Sequence, residues 1–415
     1  MTDRLYYLDP YLRAFDATIE RVEPRGDLAV VTLDRTAFYP SSGGQPFDTG
    51  LLGASRVVDV VDEEDGSVVH VVEHARDAGA PSLQAGASVH GEIDWPRRFD
   101  HMQQHTGQHV LSAAFDHLFN VRTVSFHLGA AVSTIDLARE MSAAEIAAAE
   151  AEANCIVWED RPVGIRFATA EEAAAMPLRK EPARGGTLRL IDVEDFDLSA
   201  CGGTHVARTG SIGVIAVASW ERFKGGQRLS FLCGGRALGG YHALRDSVAS
   251  AVRLLSVLPA ELPQTIERLQ GEAKAQQRLL GGLQTELARY RAEELAAAAE
   301  EVSVAPEAAA ATGGTARLVA RAVDADALGL KALASAIVSK PGYIVVLVSL
   351  SGPPVVAAVA RSADVHLSSQ KLLSALQATF GGRGGGKGDF AQGGGMNGSP
   401  EAILAAARQG IRAQQ

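Results

Sequence analysis

Cysteine is scarce: the 415 residues hold three, Cys155, Cys201 and Cys233. Three thiols make no disulfide framework and fit a reducing compartment, so a cytoplasmic location is expected. Long apolar runs are missing too. Stretches such as 344–348 fall far short of the roughly 20 apolar residues a membrane helix needs. No membrane span and no membrane partner are expected. The first ten residues carry Asp3 and Asp9 and no apolar h-region, so no signal peptide is read there. Positive charge is in deficit, 39 Lys and Arg against 49 Asp and Glu, for a net charge of −10. That balance tells against nucleic acid as a partner. The veto is weak, because phosphate affinity follows local patches, and motifs must outweigh it.

What the chain has is apolar content, at 47%, enough for sizeable cores in two to four domains. The pattern predicts an α+β multidomain chain. Residues 1–96 read as a small β-barrel, with Val- and Ile-rich segments at 28–33, 56–61, 67–73 and 89–95 separated by Gly, Pro and Asp. Residues 97–245 read as a mixed α/β domain. A helix is expected from Asp100 to about Leu118, and Ser142-x-x-Glu145 is a capping-box signal for a second one. Glycine turns follow at Gly185-Gly186 and Gly202-Gly203, then strands at 212–218 and 229–232. Residues 246–300 are helical, with an a/d series Ile266, Leu269, Ala273, Gln276, Leu280, Leu283, Leu287, Tyr290. That series fits a coiled coil, a helical hairpin or one amphipathic helix on its own domain. Residues 301–312 read as a linker. The remainder of 301–415 alternates strands (317–323, 343–350, 355–360) with helices (328–339, 367–379, 400–412), a compact α/β domain. Before its last helix lies a glycine-rich run, 381–395, containing Arg383 and Lys387.

Three histidines, His101, His105 and His109, recur at four-residue spacing, which places them on one helix face. Any adjacent pair offers two metal ligands. Cys201-Gly-Gly-Thr-His205 offers two more from a tight loop, since two glycines in so short a span disfavour a helix. Imidazole and thiolate together suit zinc.

His105-Thr-Gly-Gln-His109 followed by Val110-Leu111-Ser112-Ala113-Ala114 resembles the histidine helix of alanyl-tRNA synthetase editing domains. Cys201-Gly-Gly-Thr-His205 with Thr209-Gly210-Ser211-Ile212-Gly213 resembles their second metal motif. Phe38-Tyr39-Pro40-Ser41-Ser42-Gly43-Gly44-Gln45-Pro46-Phe47-Asp48-Thr49-Gly50 resembles the glycine-rich loop of the preceding barrel. The run 381–395 resembles the glycine-rich loop of the DHH-associated domain. The four motifs occur in the family's order and span nearly the whole chain. With no aminoacylation module before the barrel, the chain resembles the long form of the freestanding editing proteins of the AlaX type.

The resemblance implies one zinc ion per chain on His105, His109, Cys201 and His205, and leaves His101 as a surface group or one behind the ligands. It implies hydrolysis of the ester of mischarged alanine tRNA, chiefly seryl, with glycyl as the second candidate. An alanine pocket cannot strongly reject an isostere that adds a hydroxyl, the ratio being only about 100-fold, so a second, hydrolytic site answers a real need. Four protein ligands close a tetrahedral zinc, whereas catalytic sites keep a position open. His205 is therefore either a ligand or an orienter or base beside the metal. Thr123, Ser125 and Gln108 are candidates for holding the serine hydroxyl, and Gly43, Gly44, Gln45 and Asp48 for lining the pocket from the barrel. The alternatives are ordinary strand hydroxyls and a structural turn. Arg383, Lys387, Lys224, Arg228 and Arg236 are candidates for RNA contact; solvated cations and a flexible loop are the alternatives. A homodimer through the helical and C-terminal segments is compatible with the pattern. A non-catalytic tRNA-binding or oligomerising protein with a structural zinc is the competing reading. A phosphoesterase is disfavoured, because no Asp-His-His motif is present.

Overall fold

The computed structural model describes residues 1–73, 83–179, 186–303, 315–350 and 355–413. Gly185 and positions 304–312 of the expected linker lie outside them. The chain forms two compact units, 1–254 and 255–415. Among the described residues no helix is long and apolar enough to cross a membrane.

The first unit opens with β1 (Asp3–Arg4), β2 (Ala14–Arg25), β3 (Leu28–Leu33), β4 (Arg35–Thr36), β5 (Gly50–Leu52), β6 (Ser55–Asp62), β7 (Val68–Glu73) and β8 (Ser88–Ile93). Six of these close a barrel in the order β2-β3-β7-β6-β5-β8. Period-2 alternation turns Phe15, Ala17 and Ile19 of β2 inward, where they meet Val31, Leu33, Val57, Val60 and Val72. The expected barrel is present, built from strands between Ala14 and Ile93.

Helix α1 (Trp95–Phe119) starts one turn earlier than expected from the sequence. Asp94 caps it by accepting from the Arg97 N–H, and Pro96 sits in the first turn, where a missing N–H costs nothing. The following elements are β9 (Thr123–Leu128), β10 (Ser133–Leu137), α2 (Ala143–Trp158), β11 (Val163–Ala168), α3 (Ala170–Ala174), β12 (Leu188–Val193), β13 (Asp197–Ala200), β14 (Ile215–Phe223), β15 (Gly226–Cys233) and α4 (Gly234–Leu255). The Ser142/Glu145 capping box opens α2 as the sequence indicated. The strand expected at 212–218 begins only at Ile215, after a 3-10 turn over Thr209–Ile212. The antiparallel sheet β14-β15-β10-β9 and the sheet β11-β12-β13 surround α1 and α2. Val110, Leu111, Ala114 and Phe115 of α1 enter one core with Ile135, Leu137, Ile146, Ile156, Leu229 and Phe231.

The second unit holds α5 (Leu262–Ala297), β16 (Glu300–Ser303), β17 (Thr315–Val323), α6 (Ala327–Val338), β18 (Tyr343–Ser349), β19 (Val355–Arg361), α7 (Ser369–Phe380), β20 (Arg383–Gly386), β21 (Phe390–Met396) and α8 (Pro400–Arg412). Its sheet runs β16-β17-β18-β19-β21-β20. Two expectations change here. The start of the supposed linker is strand β16, paired antiparallel with β17. The glycine-rich run is a hairpin, with β20 at the sheet edge pairing Arg383 to Gly394 through Gly386 to Ala391. Glycine suits such an edge because strands approach closely where no side chains intervene. The last turns of α5, at Ala292 and Ala296, pack on Leu330, Leu333 and Ile337. Leu280, Leu283 and Leu287 of its a/d series are about half exposed among the described residues, at 58%, 54% and 51%.

Candidate metal centre

Helix α1 is amphipathic in an unusual sense. Its buried positions include Gln104, His105, Thr106, Gln108, His109 and Ser112 as well as its apolar ones. Buried polar groups must be hydrogen-bonded, and most of these are paired into the surrounding elements. Gln104 clamps the end of β15, donating to the Cys233 carbonyl at 3.0 Å and accepting from its N–H at 2.9 Å. Thr106 donates to the Met102 carbonyl at 2.8 Å and accepts from the Val206 N–H at 3.1 Å.

His105 and His109 present their rings to the loop that follows β13. There Cys201, His205 and both α1 histidines bring four ligand atoms within 4.8 Å of one another. Cys201 Sγ lies 3.3 Å from Nε2 of His105 and 3.3 Å from Nε2 of His205. Zinc with bonds of about 2.0–2.1 Å to nitrogen and 2.3 Å to sulfur sets tetrahedral S···N edges of about 3.5 Å. Each histidine of this quartet has its other ring nitrogen occupied. Nδ1 of His105 meets Gln45 Oε1 at 2.8 Å, Nδ1 of His109 meets Asp197 Oδ2 at 3.0 Å, and Nδ1 of His205 meets Thr106 Oγ1 at 3.2 Å. Such partners hold Nδ1–H as a donor and leave the Nε2 lone pair facing inward, as metal-binding histidines require. One sulfur and three imidazole nitrogens at these separations fit zinc.

The four groups act strongly on one another's charge. Burial pushes the Cys201 thiol up, but the adjoining His105 and His205 outweigh it and hold it well below its usual range. Burial would depress His109, yet its bonds to Asp197 and to the Cys201 sulfur raise it to about 9. Burial, reinforced by His105, pushes His205 down to about 3. Asp197 is pulled to about 2: desolvation opposes this, and His109 with Arg179 overcomes it. The loop needs Gly203 for room, since a Cβ there would stand 2.2 Å from Cε1 of His105.

The remaining candidates divide. Gln45 is buried and sits beside the quartet: besides its contact to His105, its Oε1 accepts from the Thr204 N–H at 3.1 Å and its Nε2 donates to Thr204 Oγ1 at 2.8 Å. Gly43 and Gly44 make the turn before it in the left-handed region, and the Gly44 carbonyl accepts from the Leu128 N–H at 3.0 Å. Asp48 is fully buried and committed to Arg98, whose guanidinium also reaches the carbonyls of Ala37 and Pro10, and to the Tyr39 N–H. It ties the barrel loop to α1 instead of facing the histidines. Gln108 Nε2 donates to Ser112 Oγ at 2.9 Å, and Thr123 Oγ1 donates to the same oxygen at 2.8 Å. Gln108 Oε1 is buried without a partner. Ser125 pairs across the sheet with Asp136, on the face opposite Ile135 and Leu137, and donates to its carboxylate. It therefore points away from α1. His101 is buried, not on the surface, and burial lowers it to about 4.

Among the basic candidates, Arg228 holds Asp136 at 2.7 and 2.9 Å with its guanidinium over the Phe223 ring. Arg236 holds Asp100 at 2.7–3.0 Å. Lys224 is exposed at the tip of the β14–β15 hairpin, and Arg383 and Lys387 are exposed at the β20 edge. The Lys387 N–H closes that hairpin turn on the Phe390 carbonyl at 2.7 Å, so it is not available to a phosphate.

Sequence reading missed Asp197, Thr106, Arg179 and Arg189. A signal existed for the first: Asp197 and Ser199 alternate along β13 in phase with Cys201 directly after it, so a carboxylate travels with the metal-loop cysteine.

Three family models match the chain: one described as tRNA synthetases class II (A) at residues 12–97, the threonyl and alanyl tRNA synthetase second additional domain at 188–230, and the DHHA1 domain at 314–413. An alanine–tRNA ligase of Pyrococcus abyssi is 36% identical over 410 residues, covering 94% of this chain and 42% of the ligase. One from Halobacterium salinarum is 37% identical over 417 residues, covering 95% and 42%. The chain thus spans about two-fifths of the length of these ligases. The alanyl-tRNA editing protein AlaX-L of Pyrococcus horikoshii is 35% identical over 276 residues, covering 65% of this chain and 66% of that protein. The second additional domain spans the Cys201–His205 loop and the DHHA1 domain the chain from 314 to 413, and with the AlaX-L homologue they make this chain an AlaX-like protein.

Proposed function

We propose that the chain is a trans-editing hydrolase that cleaves the ester of seryl-charged alanine tRNA at a zinc site formed by His105, His109, Cys201 and His205. The observation that carries this reading is the convergence of the four ligand atoms, with each Nδ1 held from behind. Homology to a protein named for alanyl-tRNA editing supports the substrate class. Zinc held by His105, His109 and Cys201, with His205 beside it, would supply Lewis-acid polarisation of the ester carbonyl, whereas zinc closed by all four would only hold the pocket in shape. The chain's own residues do the rest. Gln45, Asp197 and Thr106 fix the ring orientations. Gln108, joined to Thr123 through Ser112, offers its unused Oε1 as the acceptor for the serine hydroxyl. An alanyl group leaves that buried acceptor unsatisfied, and this is the physical basis of discrimination. In this reading the barrel, 1–96, and the domain that follows it, 97–245, act as one catalytic body. Of the five basic candidates, Lys224, Arg383 and Lys387 have exposed side chains and, unlike Arg228 and Arg236, join no ion pair among the described residues; in this reading they meet phosphate.

The first test is release of serine from serine-charged alanine tRNA by the full chain and by Cys201→Ala, with circular dichroism to establish that both are folded. Release by the wild type and its loss in a folded mutant is the expected result. A zinc-loaded wild type that binds the tRNA but releases nothing would sink the hydrolase and leave a binding protein with a structural zinc.

A further inference from the structure

The side chain that most constrains the metal loop belongs to none of the motifs. Arg189, on β12, is buried, with 8% of its surface exposed. Its Nε donates to the Tyr7 carbonyl at 3.0 Å. Its Nη1 donates to two carbonyls at once, Cys201 at 2.8 Å and Gly203 at 2.9 Å. Its own backbone carbonyl accepts from the Cys201 N–H at 3.0 Å. One residue therefore grips the Cys201 peptide groups on both sides. Nη2 is buried without a partner, and the hydrogen bonds of the guanidinium go to carbonyls.

A buried cation whose hydrogen bonds all go to carbonyls, with the Tyr7 ring 5.5 Å from its guanidinium and one nitrogen unsatisfied, costs stability that an apolar side chain of similar length would not. Packing does not explain it. Its geometry does something that no apolar residue can. The two carbonyls that flank Gly202 converge on one nitrogen, and this folds the Cys201–Gly203 segment into a hook. The hook brings the Gly203 N–H to 3.4 Å from Cys201 Sγ and turns Sγ toward the imidazoles of His105 and His205. The third carbonyl, from Tyr7, fastens the same guanidinium to the 3-10 turn Leu5–Tyr7 at the start of the chain.

We infer that Arg189 is a positioning residue of the metal loop: it fixes the Cys201 and Gly203 carbonyls and thereby aims the Cys201 sulfur at the point the three histidines face. The planar fork is essential. Lysine retains the charge but offers one nitrogen in place of a rigid set of donors to three carbonyls. The inference rests on the metal reading above.

The test uses the full-length chain as wild type, Arg189→Lys and Arg189→Met, loaded with Co2+ in place of zinc. Absorption bands report thiolate and imidazole ligation, chelator competition reports affinity, and circular dichroism reports folding. The expected result is one tightly bound Co2+ with a thiolate charge-transfer band in the wild type. Arg189→Lys, folded like the wild type, should bind about 10–100-fold more weakly with that band reduced or shifted, as partners behind metal ligands do. If Arg189→Met does not fold, Arg189→Lys carries the test. A folded Arg189→Lys with wild-type affinity and spectrum would overturn the inference while leaving the metal reading intact. A wild type that binds no Co2+ would overturn the metal reading and this inference with it.

Discussion

Gly203→Ala is the sharpest probe of the metal centre, because its neighbour supplies a built-in control. A Cβ on Gly203 would stand 2.2 Å from Cε1 of His105, 2.4 Å from its Nδ1 and 2.9 Å from Gln45 Oε1. Carbon atoms sit best at about 3.5–4.0 Å, so the overlap exceeds about 1 Å. The imidazole has nowhere to retreat. Gln45 holds Nδ1 at 2.8 Å, and the rings of His205 and Phe126 lie 4.4 and 5.8 Å away between centroids. Either the loop backbone lifts or the His105 ring swings off Gln45. Overpacking of this kind costs about 1–3 kcal/mol, and breaking the buried His105–Gln45 bond adds about 1 kcal/mol. A displaced ligand should weaken zinc by at least the 10–100-fold or so seen when its supporting partners are lost. Gly202→Ala changes the same atom one residue away, yet its Cβ would meet only Tyr7, at 3.5 Å and beyond, an ordinary contact. It should stay within about 0.5 kcal/mol of wild type. The assay is zinc per chain after dialysis against graded chelator, with thermal unfolding of the same samples. Wild-type zinc retention by Gly203→Ala, or equal loss in Gly202→Ala, would refute the reasoning.

Three further outcomes are expected. Arg98→Met should destabilise the first unit by roughly 3–5 kcal/mol, because it leaves the fully buried Asp48 carboxylate uncompensated; denaturant unfolding measures it, and adding Asp48→Asn should recover part of the loss. Burial holds His70 at about 4, below the ordinary 6.5. The unfolded chain thus takes up a proton that the folded chain refuses, and stability should fall as pH drops from about 6.5 to 4, by at most roughly 3 kcal/mol from this group. Unfolding free energies between pH 7 and 4.5 should show a shallower slope in His70→Gln, and an unchanged slope would contradict the assignment. Arg383→Ala with Lys387→Ala should weaken tRNA binding and reduce the magnitude of its salt slope by up to about 2 if both cations meet phosphate; an unchanged slope would remove the β20 edge from the RNA-contacting surface.

How far the site could be read from residues alone depended on whether the signal was local. His105 and His109 are one helical turn apart, so helix geometry by itself puts them side by side. Cys201 and His205 are brought together by a five-residue loop. The barrel was legible for the same reason, since period-2 alternation is a local pattern. The glycine-rich run 381–395 misled, because glycine signals loop conformations, whereas its two halves pair as β20 and β21 and the second half pairs in turn with β19. Ser125 misled for a related reason. Its register with Asp136 sets it on the outer face, while the irregularity between Asp136 and Leu137 puts Thr123, two residues away, on the opposite face with Leu137.

The sequence by itself determined the ligand types, their spacing and the α+β order of elements, because these follow from covalent chemistry and from helix and strand periods. Tertiary structure alone decided what stands behind the ligands. Gln45 reaches His105 across 60 residues, Asp197 reaches His109 across 88, and Thr106 reaches His205 across 99. Hydrogen bonds over such separations have no sequence period. They exist only once the barrel loop, β13 and α1 have packed against one another, and that packing selects which polar side chains face the metal centre.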